Sequence, residues 1–476
     1  MLPVLTPEEM GAADAATIAA GTPQKALMGR AGRAVARTAL DMLGGGYGHR
    51  CVVAAGKGNN GGDGLIAAEA LRRRGVGVEV VRLDDGVGTV ALDRALSRAD
   101  LVIDAMYGTG FRGSLEGDAA VVADRLRDGP PVLAVDIPSG VDGLTGAAAG
   151  PTVQATATVC FAALKPGVVF DPGATASGDI DLVDIGIDVS ATTVGVTEIS
   201  DVAAWLPALP VDNNKWRSPV SVVGGSGGMT GAPAFVSHAA MRAGAGIVWC
   251  NLPGREAARA ASGSEVITRA VGATPEGDLE SAGAREVLES LPRFRALALG
   301  PGLGRSGATA TAVRHILDNA DLPVVLDADG LNALAGDPGL LTTRSHPTVL
   351  TPHDGEFERL TGHPVGADRV AAARDLAVRA DSVVLLKGST TVVAEPPGRA
   401  ALNITGGPWL GTAGTGDVLT GIVAAFLARG VPAFEAATAG AFVHGLAADV
   451  AGHPGLIAGD LIDALGPTLA QVGTTD

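Results

Sequence analysis

One pattern governs this chain: a short β-rich run stops at a loop of glycines and acids, and a helical segment follows. CVVAAG leads into KGNNGGDG and then LIAAEALRRRG; DLVIDAM precedes YGTGFRG, and PVLAVD precedes IPSGVDG. The grammar returns in ALALGPGLGR, PVVLDADGLN, TVLTPHDGEF and SVVLLKGSTTVV. Such alternation predicts mostly parallel sheets covered by helices on both faces. In sheets of that kind ligands collect beyond the carboxyl ends of the strands, where these polar clusters fall. The 69 glycines are about twice the roughly 7% of an ordinary globular chain, and without a collagen period they belong at such loop–helix junctions.

A length of 476 residues exceeds one ordinary core, so two domains are expected. The pattern blurs between 187 and 215, where ISDVAAWLPALPVDNNKWRSP carries three prolines and a polar cluster. We therefore expect α/β domains over 1–205 and 211–476, with no internal duplication. The formal charge of −16 argues against a nucleic-acid partner. Cys51, Cys160 and Cys250 lie far apart with no metal spacing and read as buried thiols of a reducing compartment. Residues 1–20 carry three acids and no basic region, and no 18-residue apolar stretch occurs. A cytoplasmic protein without a membrane span is expected.

GKGNNG, Gly56–Gly61, satisfies GxGxxG between a strand and a helix and invites a dinucleotide reading. The acid that should hold a ribose about 20 residues on is not where expected. Asn60 and Asp63 are not needed to make the turn, which favours a functional loop. Asp104 ends one strand before MYGTG and Asp136 ends the next before IPSG; each could alternatively be a helix cap or Asx-turn residue. With Asn60 and Ser139 these acids could supply oxygen ligands to a hard cation, leaving a carboxylate as general base. No His/Cys cluster suits zinc.

Near the end stands GTAGTGDVLTG, Gly411–Gly421. Gly414, Thr415 and Gly416 can present consecutive N–H groups at a helix start, a cradle for phosphoryl oxygens, with Asp417 in the first turn. KGSTT, Lys387–Thr391, adds donors and DADG, Asp327–Gly330, adds two carboxylates. Phosphoryl transfer needs charge-neutralising donors, usually Mg²⁺, and a base for the acceptor's proton. His353, beside Asp354 and Glu356, reads as a polar site residue. The GxxxxGK[ST] phosphate loop is absent.

The ordered set of motifs resembles the bifunctional NAD(P)H-hydrate repair family, an NAD(P)HX epimerase fused to an ADP-dependent NAD(P)HX dehydratase. The resemblance is carried by LM..AG at 27–32, NNGGDG, DAMYGTG, DIPSGVDG and KPG at Lys165–Gly167, then by GGSGGMTGAP, AAMRAGAG, GPGLG, DADGLN, TPHDGE, KGSTT and GTAGTGDVLTG. Gly29 stands where the family usually has an acid, and Asn214-Lys215 leads into WRSP where it often has HK and a glycine. The resemblance implies a Rossmann-like three-layer domain followed by a ribokinase-like domain, and assembly into a homo-oligomer. It implies NADHX and NADPHX, hydrated at C6 of the nicotinamide, as substrates. Their R and S forms are interconverted, and ADP phosphorylates the S form, which releases phosphate to give AMP and NAD(P)H.

Residue by residue, it implies that Asn59, Asn60, Gly61, Gly62 and Asp63, with Gly108, Thr109, Gly110, Phe111, Arg112, Gly113, Ser114 and the catalytic Asp136, contact the hydrate in the epimerase. Asn60, Asp104 and Ser139 would hold K⁺. In the dehydratase, Ala232, Gly302, His353 and Asp417 would line the hydrate site, with Asp417 as base. Lys387, Gly388, Ser389, Thr390 and Thr391 would hold ADP with Gly414, Thr415 and Gly416. Rival readings explain less. An oxidoreductase leaves GTGD without a role, a ribokinase-like small-molecule kinase leaves the first 190 residues unused, and a structural protein needs neither polar constellation.

Overall fold

The computed structural model describes residues 1–473 apart from 209, 256, 257, 259–264 and 453. The chain divides into two compact units, Leu2–Val194 and, from Gly195, the remainder. The expected first domain, 1–205, runs past this division. Helix Ile199–Trp205 turns Val202 into the core of the second unit, with Ile199, Ala203 and Trp205 packed against it.

In the first unit six strands form one parallel sheet in the order Gly77–Arg82, Arg50–Ala55, Leu101–Ala105, Val132–Val135, Ala157–Phe161, Asp179–Val183. Alternation along each strand splits its apolar side chains between two cores. Cys51, Val53, Leu101 and Ile103 meet the helices Gln24–Leu43 and Asn59–Arg73, while Val52, Ala54 and Val102 meet Thr89–Leu96 and Gly117–Leu126. This is the expected three-layer, Rossmann-like arrangement. The second strand in space, Arg50–Ala55, is the first of the six in sequence, so successive crossovers leave it in opposite directions. The crevice created at such a switch opens over its carboxyl end.

The second unit repeats the principle on a larger sheet. Parallel neighbours run Ile267–Val271, Ile247–Pro253, Pro219–Val223, Ala296–Leu299, Val324–Leu326, Thr348–Leu350, Val383–Leu386, and the hairpin partners Thr391–Ala394 and Ala400–Asn403 continue it antiparallel. Through the core passes helix Thr415–Ala428, buried at every residue but Gly416 and Asp417. A helix apolar all round has no solvent face to spare and must be packed on every side. Among the described residues no helix is long and apolar enough to cross a membrane. Cys51, Cys160 and Cys250 are buried free thiols.

Gly421 sets how closely helix Thr415–Ala428 meets helix Gly231–Arg242: a Cβ there would lie 2.2 Å from the Val236 carbonyl oxygen. Gly421→Ala should therefore destabilise the second unit by about 1–3 kcal/mol, because a backbone clash outweighs the roughly 0.5–1 kcal/mol gained in helix propensity. A lowered thermal transition checks this, and an unchanged or raised one contradicts it.

Candidate active sites

The crevice of the first unit is a cavity of about 840 Å³. Three strand-end loops reach it: Lys57–Asp63 after the first strand, Met106–Arg112 after Leu101–Ala105, and Asp136 after Val132–Val135. Two glycines of GKGNNG are consumed in building the loop. A Cβ on Gly56 would lie 2.0 Å from the Met106 oxygen, and one on Gly61 would lie 1.9 Å from the Gly56 oxygen. Close backbone packing, rather than approach of a pyrophosphate, explains them.

Asp136 adopts a positive φ of 69°, uncommon for a side-chain-bearing residue and found most often where a site fixes the backbone. Its peptide is tied down by its own N–H to the Val159 oxygen at 2.8 Å and by the Cys160 thiol to its oxygen at 3.3 Å. The carboxylate ion-pairs with Lys165, whose side chain is almost wholly buried, and accepts from the Thr109 N–H at 3.3 Å. Lys165 also donates to the Phe161 oxygen at 3.1 Å. Asn59, Asn60, Asp63, Gly108, Thr109, Gly110, Phe111 and Arg112 line the cavity, as Asp136 does. Gly61, Gly62, Gly113 and Ser114 do not. Gly61 is spent on Gly56, Gly62 lies against Met28, and the Ser114 hydroxyl turns to the Leu115 oxygen at 3.3 Å.

Beneath the cavity Asp104 is wholly buried. The Ser139 hydroxyl donates to its Oδ1 at 2.7 Å, and the Ser139 N–H donates to Oδ2 at 2.8 Å. The Asn60 Nδ2 donates to the Tyr107 oxygen at 2.8 Å, and the Tyr107 N–H donates to the Ser139 hydroxyl at 3.0 Å. Asn60 and Ser139 thus meet on Tyr107, and Ser139 ties Asp104 to them. Burial pushes the Asp104 carboxyl up to about 6, with the Ser139 and Met106 hydrogen bonds working against it. A buried carboxylate with neutral oxygens around it and no basic side chain bonded to it suits a large monovalent cation, so the residues fit K⁺. Among the described residues no group of three or more His, Cys, Asp or Glu side chains could hold a metal ion.

In the second unit, Lys387, at the end of Val383–Leu386, reaches Asp327 Oδ1 at 3.1 Å and lies 3.7 Å from Glu356 Oε2. The hydroxyls of Thr351 and Thr420 donate to the two Asp327 oxygens at 2.7 and 2.9 Å. Burial works hardest on the Lys387 ammonium and would lower it, but Asp327, Glu356 and Asp417 together hold it above its ordinary value. Asp417 is pushed up to about 7, first by burial and then by Asp327, with Lys387 opposing. Asp329 accepts from the Gly304 N–H at 2.9 Å and from Asn332 at 3.0 Å. The DADG carboxylates are therefore committed inside the protein and do not fit a dedicated Mg²⁺ cage.

Thr415 turns inward: its hydroxyl donates to the Leu410 and Thr412 oxygens at 2.7 and 2.8 Å, and its N–H points at the Thr412 oxygen at 3.4 Å. Of this helix start's N–H groups Thr415's is thus turned inward, while those of Gly414, Gly416 and Asp417 have no backbone partner among the described residues. His444, buried, lies 2.9 Å from the Thr415 oxygen and fixes this turn. Burial lowers its pKa to about 4, so the ring is neutral. His353 caps helix Asp354–Thr361, accepting from the Gly355 N–H at 3.0 Å, and is half exposed. Its neighbour Glu356 is the residue that turns in toward Lys387. Ala232 and Gly302 are neighbours, with 3.5 Å from the Ala232 Cβ to a Cβ built on Gly302. Gly388, Ser389 and Thr390 form the turn between Val383–Leu386 and the strand opened by Thr391. Arg369 braces its start, donating to the Lys387 oxygen at 2.8 Å. Lys165, Glu356, Thr420 and His444 have no role that the sequence assigns; KPG, TPHDGE and GTAGTGDVLTG mark the first three only as motif members.

A family model described as NAD(P)H-hydrate dehydratase matches residues 220–467, and one described as YjeF-related protein N-terminus matches 24–87 and 86–167. The chain is 41% identical over 464 residues to the bifunctional NAD(P)H-hydrate repair enzyme Nnr of Mycobacterium leprae, covering 92% of each chain. It is 40% identical to that of Moorella thermoacetica, over 87% of this chain and 86% of that one. Among solved structures, an ADP/ATP-dependent NAD(P)H-hydrate dehydratase from Bacillus subtilis, co-crystallised with ATP and Mg²⁺, is 30% identical with a TM-score of 0.51. That match covers 59% of this chain and 99% of that one. A ribokinase-like superfamily protein of Enterococcus faecalis, 20% identical with a TM-score of 0.51 over 59% of this chain and 96% of its own, shares the fold of the second unit.

Asp63 gives the first site a pH signature. Burial, then Asp136 and Asp14, push its carboxyl from 3.8 up to about 8. Over that interval the folded chain holds a proton the unfolded chain has lost, so stability falls as pH rises. Asp63→Asn should melt level with the parent near about pH 4 and above it near about pH 8. Melting curves across the interval test this; a variant that is less stable at the alkaline end contradicts it.

Proposed function

The chain belongs to the bifunctional NAD(P)H-hydrate repair family, an epimerase and an ADP-dependent dehydratase in one polypeptide, and from that premise we propose which residues carry each reaction. The first unit takes the hydrate into its cavity, with Asp136 as the base. The observation that supports this most is the buried Lys165–Asp136 pair, which sets a carboxylate beside the cavity with an ammonium to compensate its charge. The Thr109 N–H and the backbone around 108–112 orient the nicotinamide end of the ligand. K⁺ would sit at Asn60, Asp104 and Ser139 and, when bound, neutralises the Asp104 carboxylate under the floor of the cavity.

In the second unit the C6 hydroxyl of the S hydrate approaches Asp417. A base with a pKa near neutrality combines a useful deprotonated fraction with real proton affinity. The N–H groups of Gly416 and Asp417 and the Lys387 ammonium stabilise the phosphoryl group as it passes from ADP to that hydroxyl. Phosphorylation converts hydroxide, a poor leaving group, into phosphate, a good one. Ala232, Gly302 and His353 border the hydrate, and 387–391 hold the nucleotide. Mg²⁺ would be carried by nucleotide phosphates rather than by Asp327 or Asp329. We further read the chain as cytoplasmic, on its three free thiols, and as self-assembling, on its family.

Each assignment has its own test. Asp136→Asn should remove nearly all R/S interconversion, followed by chiral chromatography, while dehydration of the S hydrate persists; wild-type interconversion would refute it. Crystals soaked in rubidium should show anomalous density beside Asn60, Asp104 and Ser139, and a peak elsewhere would refute that site. Asp417→Asn should keep ADP affinity by calorimetry yet slow NADH formation by roughly 10²–10⁴-fold. The parent's rate should rise with pH through about 7 as Asp417 loses its proton. Turnover lost only in proportion to ADP binding would reject the base.

A further inference from the structure

One acid of the first site buries an oxygen that has no hydrogen-bond partner among the described residues. Asp63, just past the first turn of helix Asn59–Arg73, faces the cavity and is 8% exposed. Its Oδ1 is buried with no hydrogen-bond partner among the described residues. The other strand-end acids differ in this respect: Asp104 is held by Ser139 and Asp136 by Lys165. An ionised carboxylate left without donors in such a place is strongly disfavoured, whereas a carboxylic acid, with an O–H to give, is not. The charged groups around it act in the same direction. Asp14 faces it from helix Pro7–Ala19 and Asp136 from the end of Val132–Val135, and Lys165 is committed to Asp136. Helix Gln24–Leu43 brings only Gln24, Leu27, Met28 and Ala31 to the cavity, and Lys57 and Arg112 line it as solvent-exposed side chains.

We propose that Asp63 is the general acid of the epimerase site, giving the proton with which the C6 hydroxyl leaves as water. The proposal rests on the assignment of the hydrate to this cavity. C6 carries the hydroxyl and is bonded to the ring nitrogen N1. The Asp63 proton moves to the hydroxyl oxygen, the C6–O bond breaks, and water departs. The N1 lone pair closes an N1=C6 iminium, and Asp63 is left as carboxylate. Water then adds to the opposite face of C6 and its proton passes to the Asp136 carboxylate, from which it returns to Asp63 through solvent. Nothing is oxidised or reduced, and each proton released is taken up. The arrangement places at one cavity a carboxyl whose buried oxygen has no donor and a carboxylate paired with an ammonium, so one can donate a proton while the other accepts. Asp63 is held protonated up to about pH 8 by burial and by Asp136 and Asp14, so the donor is loaded at neutral pH.

The test starts from a purified hydrate epimer and the full-length enzyme without ADP, so that only epimerisation proceeds. Chiral chromatography gives kcat and KM across pH for the parent, Asp63→Asn and Asp63→Glu. The parent kcat/KM should fall above about pH 8, the free-enzyme value for the acid. Asp63→Asn should lower kcat by about 10²-fold with little change in KM and lose that alkaline fall, and Asp63→Glu should recover part of the rate. In ¹⁸O-labelled water the label should enter the hydrate in step with inversion. An Asp63→Asn enzyme with the parent's rate and pH profile, or inversion without label, overturns the acid assignment alone. A parent enzyme whose inversion survives Asp136→Asn and filling of the cavity by Gly108→Trp overturns the cavity assignment beneath it.

Discussion

Charge buried at the carboxyl ends of parallel strands is the constraint on which both units are built. A strand that ends inside a three-layer domain delivers its last side chain to a place where water is scarce, and an aspartate there must be compensated. This chain does so in different ways. Asp104 accepts a hydroxyl and amides, Asp136 an ammonium, and Asp327 an ammonium with two hydroxyls. Each solution leaves a different electrostatic remainder: a carboxylate held by neutral donors, a carboxylate paired with a buried ammonium, and a lysine shared among carboxylates.

Lys387 shows how closely such sites are balanced. Burial pulls its proton affinity down, and Asp327, Glu356 and Asp417 pull it up by more. The same lysine lowers Asp417 while Asp327 and Glu356 raise it. Asp417 therefore sits near neutrality through the difference of large opposing influences. Removing any one of the four groups alters the protonation of the others, so single substitutions here report on the cluster as a whole.

The strand-then-loop grammar made the sheets, the two-unit organisation and the position of Asp136 and Asp417 legible in sequence, because each of these follows from local pattern. The internal partners were not. Lys165 stands well away from Asp136 in sequence and meets it only because neighbouring strands bring their ends together. Thr420 lies in an apolar helical run, where a threonine carries no sign that it reaches Asp327, and His444 is equally inconspicuous in a helix of alanines. Nor does the sequence show that the His353 ring caps a helix while Glu356, three residues on, reaches toward Lys387. The glycines of GKGNNG suggested a dinucleotide fingerprint, while Gly56 and Gly61 answer to backbone packing. The unit division at 194 was obscured because helix Ile199–Trp205 is too short to announce which core it serves.

The helix Thr415–Ala428 carries the proposed base at its first turn and is surrounded by core for the rest of its length. Amides in such an element exchange with solvent only when the surrounding unit opens, so its local stability approaches that of the whole. The reacting end of the second site is thereby coupled to global folding rather than to loop motion. Adaptation to a new acceptor in this unit is left to the turn around 302, since loosening the helix itself would dismantle the fold that holds it.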